Sequence, residues 1–220
     1  MSTPPKSKTT KRPSPVTAPR AGKQGSPLRV VRILLWLAVA GAIAAIATIA
    51  WRAETGGQMM ASTIGGPFSL INQNGETVTE ATLKGHPSLM FFGYTFCPDV
   101  CPTTLLAASN WLKTLGPDGD RLKVYFVTVD PERDTVQQLG NYLQAFDPRI
   151  TALTGPRAAL DPMLKAYRVY SKKVGDGDDY SMDHTAAVYM LDDNGNLVGT
   201  LDYQEDDATA LAKLKRLMAG

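Results

Sequence analysis

The side chains of this chain that are best suited to chemistry are those of its two cysteines, Cys97 and Cys101. They lie where a predicted central strand ends and a predicted helix begins, and sites in open α/β sheets collect at the carboxyl ends of strands. The spacing of four positions predicts both sulfurs on one face once the helix has begun. Unpaired N–H groups and the positive end of the helix dipole favour thiolate over thiol there.

Two neighbouring thiolates suit a metal site, a redox dithiol or a structural disulfide. A disulfide between cysteines so close in sequence constrains the unfolded chain little, because stabilisation grows with loop length. Two cysteines in a domain of this size are also too few for a disulfide scaffold. The sequence therefore favours either a metal site or a redox pair at Cys97 and Cys101.

The two histidines of the chain have different surroundings. His184 lies immediately before a predicted strand at 186–191 and follows a long polar, acidic loop at 171–183. A loop of this length is unusual in a compact domain and is often functional. His184 is therefore a candidate third ligand beside the cysteines, whereas His86, in a turn before another strand, is interpreted as a surface residue.

A set of two cysteines and one histidine suits copper. Thiolates prefer Cu(I) and imidazole suits Cu(II), so a mixed set can hold both oxidation states. Zinc would also accept these ligands, with water as a fourth. For a given site the order of affinities favours copper, and three ligands, one of them on a loop, suit release of the metal better than a closed cage of four.

Other side chains near these positions have ordinary structural interpretations. Asp99 either tunes the site electrostatically or is a solvated acid at the helix start. Asp183 is a candidate acceptor that would orient His184. The segment 130–134 is interpreted as turn and capping chemistry rather than as a contact with metal or partner. Packing is the preferred role of three further residues: Tyr94, Phe96 and Met182.

Hydrophobic periodicity predicts alternating strands and helices after residue 66. Apolar runs at 88–93 and 122–129 are typical of central strands buried on both faces. Asp134 or Thr135 is the expected N-cap of a helix at 136–146. The other predicted helices are 103–115, 158–167 and 208–218. The other predicted strands are 68–71 and a hairpin of 186–191 with 196–201 around Asp192-Asp-Asn-Gly195.

This order of elements predicts an α/β fold. The two central strands are expected to be parallel, joined by a right-handed crossover through the helix at 103–115. The arrangement fits a thioredoxin-like fold, and residues 67–220 are long enough for one such domain with a single core.

The charge of the chain is distributed unevenly. Residues 1–32 contain eight basic side chains and no acidic one. Subtracting these eight from the 23 basic residues leaves 15 against 21 acidic residues, a net charge of −6 for the rest. Nucleic-acid binding by a basic surface of the globular part is therefore excluded as an interpretation.

The 19 residues at 33–51 carry no charged side chain. As a helix they would extend about 28 Å, close to the hydrocarbon thickness of a bilayer. We predict a transmembrane anchor at 33–52, between a disordered basic segment at 1–32 and a linker at 53–66. Arg29 and Arg32 place residues 1–32 in the cytoplasm by the positive-inside rule. A cleaved signal peptide and a mitochondrial presequence are the alternatives.

Three motifs of the sequence resemble the SCO/SenC family of copper-binding proteins. They read FGYTFCPDVCP at 92–102, TVDPERDT at 128–135 and DHT at 183–185. The similarity extends from about residue 66 to about residue 218. Carried over to this chain, the family's copper ligands fall on Cys97, Cys101 and His184, and the resemblance implies a thioredoxin-like fold.

The resemblance also implies a role in building the binuclear copper centre of cytochrome c oxidase. The expected partners are the copper-bearing subunit of that enzyme and other copper chaperones. A membrane-tethered thiol–disulfide oxidoreductase and a copper or redox sensor are the alternatives with the same cysteines, so enzymatic activity is left open. The expected location is a bacterial inner membrane with the domain in the periplasm; the alternative is the mitochondrial inner membrane, facing the intermembrane space.

Overall fold

The structure is a computed structural model that describes residues 27–56 and 64–219. The chain divides into two compact units, residues 1–59 and 60–220. Residues 1–26 of the predicted disordered segment at 1–32 and residues 57–63 of the predicted linker at 53–66 lie outside the described residues, so both stay predictions.

The described part of the first unit is helix α1 (Pro27–Gly56). Apolar side chains along it, such as Leu34 and Trp36, are exposed. Within the residues that the structure describes, no helix combines the length and the apolar character that a membrane crossing requires. The predicted anchor at 33–52 is therefore not shown by the structure.

The described residues of the second unit form a mixed seven-stranded sheet. Its strands are β1 (Ser69–Asn72), β2 (Thr77–Thr79), β3 (Ser88–Gly93), β4 (Lys123–Thr128), β5 (Ile150–Thr154), β8 (Val188–Leu191) and β9 (Leu197–Leu201). Two further strands, β6 (Ser171–Val174) and β7 (Ser181–His184), pair antiparallel with each other as a separate hairpin.

The strand order in the large sheet is β2-β1-β5-β4-β3-β8-β9. β4 pairs parallel with both β3 and β5, and the other pairings are antiparallel. Every residue of β3 is buried, as its continuous apolar sequence predicted. Gly93 at the end of β3 aligns with Thr128 at the end of β4. The segments that follow these two strands therefore begin side by side at one edge of the sheet.

The helices of this unit are α2 (Val100–Leu115), α3 (Val136–Leu143), α4 (Arg157–Ala166) and α5 (Asp207–Ala219). α2 connects the parallel strands β3 and β4, which confirms the predicted crossover helix. The Trp111 side chain of α2 donates a hydrogen bond to Asp207 at the start of α5, at 2.9 Å. The Thr135 hydroxyl accepts from the Gln138 N–H and so caps α3, one of the two caps predicted.

Three parts of the fold differ from the sequence analysis: β2, β5 and the β6–β7 hairpin were not predicted as strands. No strand was predicted at 150–154, where β5 pairs with both β4 and β1. The segment 171–183, predicted to be a loop, is mostly the β6–β7 hairpin, with Ser171 paired to His184. The hairpin was missed because β6 is polar and largely exposed, so it lacks the alternating apolar pattern that marks a half-buried strand.

Aromatic side chains fill the core at the centre of the sheet. The side chains of Phe91, Phe92 and Phe126 are each at most 1% exposed. The rings of Phe91 and Phe126, on neighbouring strands, stack with their centroids 6.0 Å apart. This rigid layer lies under the edge of the sheet that carries the cysteines.

Candidate metal centre

Cys97 lies in the turn between β3 and α2. Its N–H donates to the Tyr94 carbonyl at 3.3 Å, and the helix begins only at Val100. The helical spacing that we expected to align the two sulfurs therefore does not apply to Cys97, because that residue lies before the helix. The turn places its half-buried sulfur within 4.8 Å of the Cys101 sulfur.

Cys101 is fully buried in the first turn of α2, followed by Pro102 as predicted for an early helical position. Its sulfur lies against the backbone of Gly93. A Cβ built on Gly93 would lie 2.7 Å from the Cys101 sulfur and 2.7 Å from a ring carbon of Phe126. Glycine is required here because the thiol occupies the space that any side chain would need.

Gly93→Ala is expected to lower the free energy of unfolding by about 1–3 kcal/mol, because the added methyl group overpacks the core. It should also displace the Cys101 sulfur and weaken metal binding. Gly140→Ala in α3 is the matched control: its Cβ would have no neighbour closer than 3.9 Å. Chemical denaturation of both variants tests this. Equal stability of Gly93→Ala and the wild type would contradict the close packing of Gly93 against Cys101.

His184 ends β7 and points its imidazole at the cysteines. Its Nε2 atom lies 3.6 Å from the Cys101 sulfur. Its Nδ1 atom lies 2.9 Å from the Thr185 carbonyl oxygen, which can only accept, so Nδ1 carries the proton and donates it. Nε2 is therefore left with a free lone pair facing the sulfurs, the form in which histidine binds metals.

The ligand atoms of Cys97, Cys101 and His184 all lie within 4.8 Å of one another. The structure thus brings together the three residues that the sequence analysis selected. His86 lies at the opposite end of β3, where its Nδ1 atom is 3.2 Å from the Ser88 hydroxyl. Its predicted exclusion from the site agrees with this position.

The surroundings shift the pKa values of the two thiols in opposite directions. A hydrogen bond from Cys101 lowers the pKa of Cys97 to about 3, and burial acts in the opposite direction. The same hydrogen bond to Cys97, together with burial, raises the pKa of Cys101 well above its ordinary value. In the metal-free pair these shifts favour the thiolate on Cys97 and the proton on Cys101.

The neighbouring residues mostly have structural roles. Asp99 precedes α2, and its carboxylate accepts from the hydroxyls of Thr103 at 3.4 Å and Tyr203 at 3.3 Å. Asp183 is exposed, and the orienting role considered for it belongs to the Thr185 carbonyl.

The residues predicted to pack around the site differ in burial. Tyr94 and Met182 are buried, whereas Phe96 is 52% exposed.

The supporting role of Asp134 was not predicted. This fully buried carboxylate accepts hydrogen bonds from the Thr95 hydroxyl at 2.6 Å and the Thr128 hydroxyl at 2.6 Å. Thr95 lies two residues before Cys97, so Asp134 fixes the turn that carries the first thiol. Its only signal in the sequence was an acidic residue in a turn directly after a central strand, which is also typical of simple capping.

The fold and the site define the class of the protein: a thioredoxin-like α/β domain with a Cys-Cys-His cluster at the edge of its sheet. A sequence profile described as SCO1/SenC matches residues 56–219. The chain belongs to the SCO1/SenC family.

Individual relatives agree with this assignment. The chain is 48% identical to Bradyrhizobium japonicum ScoI in its copper-bound structure, with a TM-score of 0.66, over 70% of this chain and 99% of that one. It is 37% identical to copper-bound yeast Sco1, with a TM-score of 0.65, over 70% and 87%. It is 41% identical to the SCO2-like protein RP587 of Rickettsia prowazekii over 60% of this chain and 66% of the relative, so the match spans just under two thirds of that protein.

Proposed function

We propose that this chain is a copper metallochaperone that binds one copper ion through Cys97, Cys101 and His184. The observation that carries the proposal is the convergence of two sulfurs and one imidazole nitrogen within 4.8 Å. The donor set fits copper, because the thiolates suit Cu(I) and the imidazole suits Cu(II). The copper bound in the structures of Bradyrhizobium japonicum ScoI and yeast Sco1 supports copper as the metal.

The site is also suited to giving the metal away. Cys97 is partly exposed, whereas Cys101 is buried. A recipient can therefore approach the bound ion from the side of Cys97. A set of three ligands leaves room for a recipient's ligand to join before the others are released, which a closed tetrahedral site does not allow.

We infer that the recipient is the copper-bearing subunit of cytochrome c oxidase, at its binuclear copper centre. The family resemblance supports this recipient. The test is deletion of the gene in its own cell under limiting copper, followed by measurement of copper in the purified oxidase. We expect the copper content to fall, and to recover with the wild-type chain or His86→Ala but not with His184→Ala. A full copper content in the deletion strain would contradict the proposal.

We further propose that residues 33–52 anchor the chain in a membrane, with 1–32 in the cytoplasm and the copper-binding domain, 67–220, on the other side. The uncharged segment 33–51 and the basic residues before it support this arrangement. After an alkaline wash the full chain should stay with the membranes, and a variant lacking 33–52 should be released. Release of the full chain would contradict the anchor.

Thiol–disulfide exchange is the second candidate function. It is favoured by the partial exposure of Cys97, and the hydrogen bond from Cys101 lowers the pKa of this thiol to about 3. Because the thiolate is the nucleophile, Cys97 of the reduced, metal-free protein should react with iodoacetamide much faster than Cys101. Its rate should be nearly constant from pH 5 to 8, since the thiolate is fully formed throughout.

Mass spectrometry of partly alkylated protein tests this prediction site by site. A tenfold rise in the Cys97 rate for each pH unit would show an ordinary thiol and contradict it. His184→Ala separates the two functions, because it removes a copper ligand and leaves both sulfurs for disulfide exchange.

A further inference from the structure

The turn after β4 buries more charged side chains than a turn needs in order to form. This segment, residues 130–134, is called the bridging turn below. Asp130 and Asp134 are both fully buried. Carboxylates are almost never fully buried unless they are paired or hydrogen-bonded, so each must have partners that justify its position.

One end of the bridging turn holds the cysteine segment. Asp134 accepts from the Thr95 N–H at 3.1 Å as well as from the Thr95 hydroxyl. The two contacts involve both backbone and side chain, so they fix the position of the chain two residues before Cys97. The Gln138 side chain adds a hydrogen bond to the same Thr95 hydroxyl at 3.2 Å.

The other end of the bridging turn holds the hairpin that carries His184. Arg133 donates to the Tyr180 carbonyl at 2.9 Å, and its guanidinium lies 3.5 Å from the centroid of the Tyr180 ring. The Tyr180 hydroxyl donates to Asp130 at 2.6 Å, and Arg133 also pairs with Asp130. Tyr180 directly precedes β7, so these contacts fasten the strand that ends at His184.

The hairpin depends on such contacts because it belongs to no larger sheet. β6 and β7 pair only with each other among the described residues. Near its base, the Thr185 N–H donates to the Tyr170 carbonyl at 3.1 Å, and Met182 is buried in the core. The far part, around the exposed residues 175–179, is held by Arg133, which also donates to the Asp178 carbonyl at 3.4 Å.

We propose that Arg133 is a positioning residue for the metal site: it fastens the hairpin to the bridging turn and thereby keeps His184 within ligand distance of the two cysteines. The bridging turn connects both halves of the site, with Asp134 holding the cysteine segment and Arg133 holding the histidine hairpin. Its part in metal binding rests on the proposed copper function. Its part in hairpin order is independent of copper.

The test uses Arg133→Met in the full chain, which keeps most of the side-chain volume and removes the guanidinium. In the metal-free protein we expect hydrogen exchange at the amides of β7 to accelerate roughly tenfold or more, the size implied by loss of a charged hydrogen bond. In the Cu(II) protein we expect weaker nitrogen hyperfine coupling in the electron paramagnetic resonance spectrum, with the thiolate-to-copper absorption retained. Copper affinity should fall by roughly 10–100-fold, as for other groups that orient a ligand.

Three variants make the test specific. Arg149→Met is the matched control, because Arg149 pairs with Asp147 and Asp120 and has no contact with the hairpin; it should leave β7 exchange unchanged. Arg133→Lys keeps the charge but not the planar fork, so it should restore protection only in part. Tyr180→Phe loses only the hydroxyl contact with Asp130 and should give a smaller acceleration than Arg133→Met.

Wild-type exchange rates in β7 of Arg133→Met, together with unchanged nitrogen coupling, would overturn the proposal. If Arg133→Met does not fold, Arg133→Lys and Tyr180→Phe decide by the same two measurements, and wild-type values in both would overturn it. A wild-type chain that binds no copper would refute the proposed function, whereas the exchange measurement on metal-free protein would still test the positioning role in the hairpin.

Discussion

Replacement of either cysteine is expected to remove tight copper binding. Each substitution deletes one of the two sulfur donors, and a hydroxyl or methyl group cannot replace a soft thiolate ligand for Cu(I). The loss of affinity should exceed the roughly 10–100-fold that removal of a merely orienting group costs. Competition with a Cu(I) chelator of known affinity measures the effect for each variant.

The variants differ in their structural consequences. Cys97 is partly exposed, so Cys97→Ser should fold with nearly unchanged stability. Cys101 is fully buried, so the hydroxyl of Cys101→Ser would be a polar group in apolar surroundings. Cys101→Ala avoids this cost and should be measured beside Cys101→Ser. Retention of wild-type Cu(I) affinity by folded Cys97→Ser would contradict the two-sulfur site.

His184→Ala has the second largest expected effect. It removes the only nitrogen donor of the cluster, so Cu(II) affinity should fall by more than about 100-fold, beyond the range that orienting groups show. Cu(I) affinity should fall less, because both soft thiolates remain. Titration with each oxidation state separates the two losses.

His86→Ala is the matched control for this prediction. His86 contacts Ser88 at the far end of β3, so its loss should leave the affinities for both oxidation states unchanged. Equal losses in His86→Ala and His184→Ala would mean that histidine content, rather than the position of His184, determines binding. Folding of both variants is checked by circular dichroism.

The elements with strong sequence patterns could be predicted. The fully buried β3 was recognised because burial on both faces leaves a continuous apolar run, and α2 because burial on one face leaves a helical period. The strand β5 (Ile150–Thr154) was missed because it is short, follows a turn and has no such signature in its sequence. The polar strand β6 was missed for the same reason.

The ligand residues could be selected from the sequence, but not the arrangement that supports them. Cys97, Cys101 and His184 are the residue types that bind copper, and the motifs around them are specific. The contact of Asp134 with Thr95 joins residues 39 positions apart, and that of Tyr180 with Asp130 joins residues 50 apart. Such pairs depend on the alignment of strands at the sheet edge, which no local pattern encodes.

X-ray absorption spectroscopy of the copper-loaded chain tests the central claim most directly, because it counts the atoms bonded to the metal. The wild-type protein should show two sulfur neighbours and one imidazole nitrogen for each copper ion, and His184→Ala should lose the nitrogen while keeping both sulfurs. A wild-type spectrum with no sulfur neighbours, or with an unchanged nitrogen signal in His184→Ala, would contradict the account.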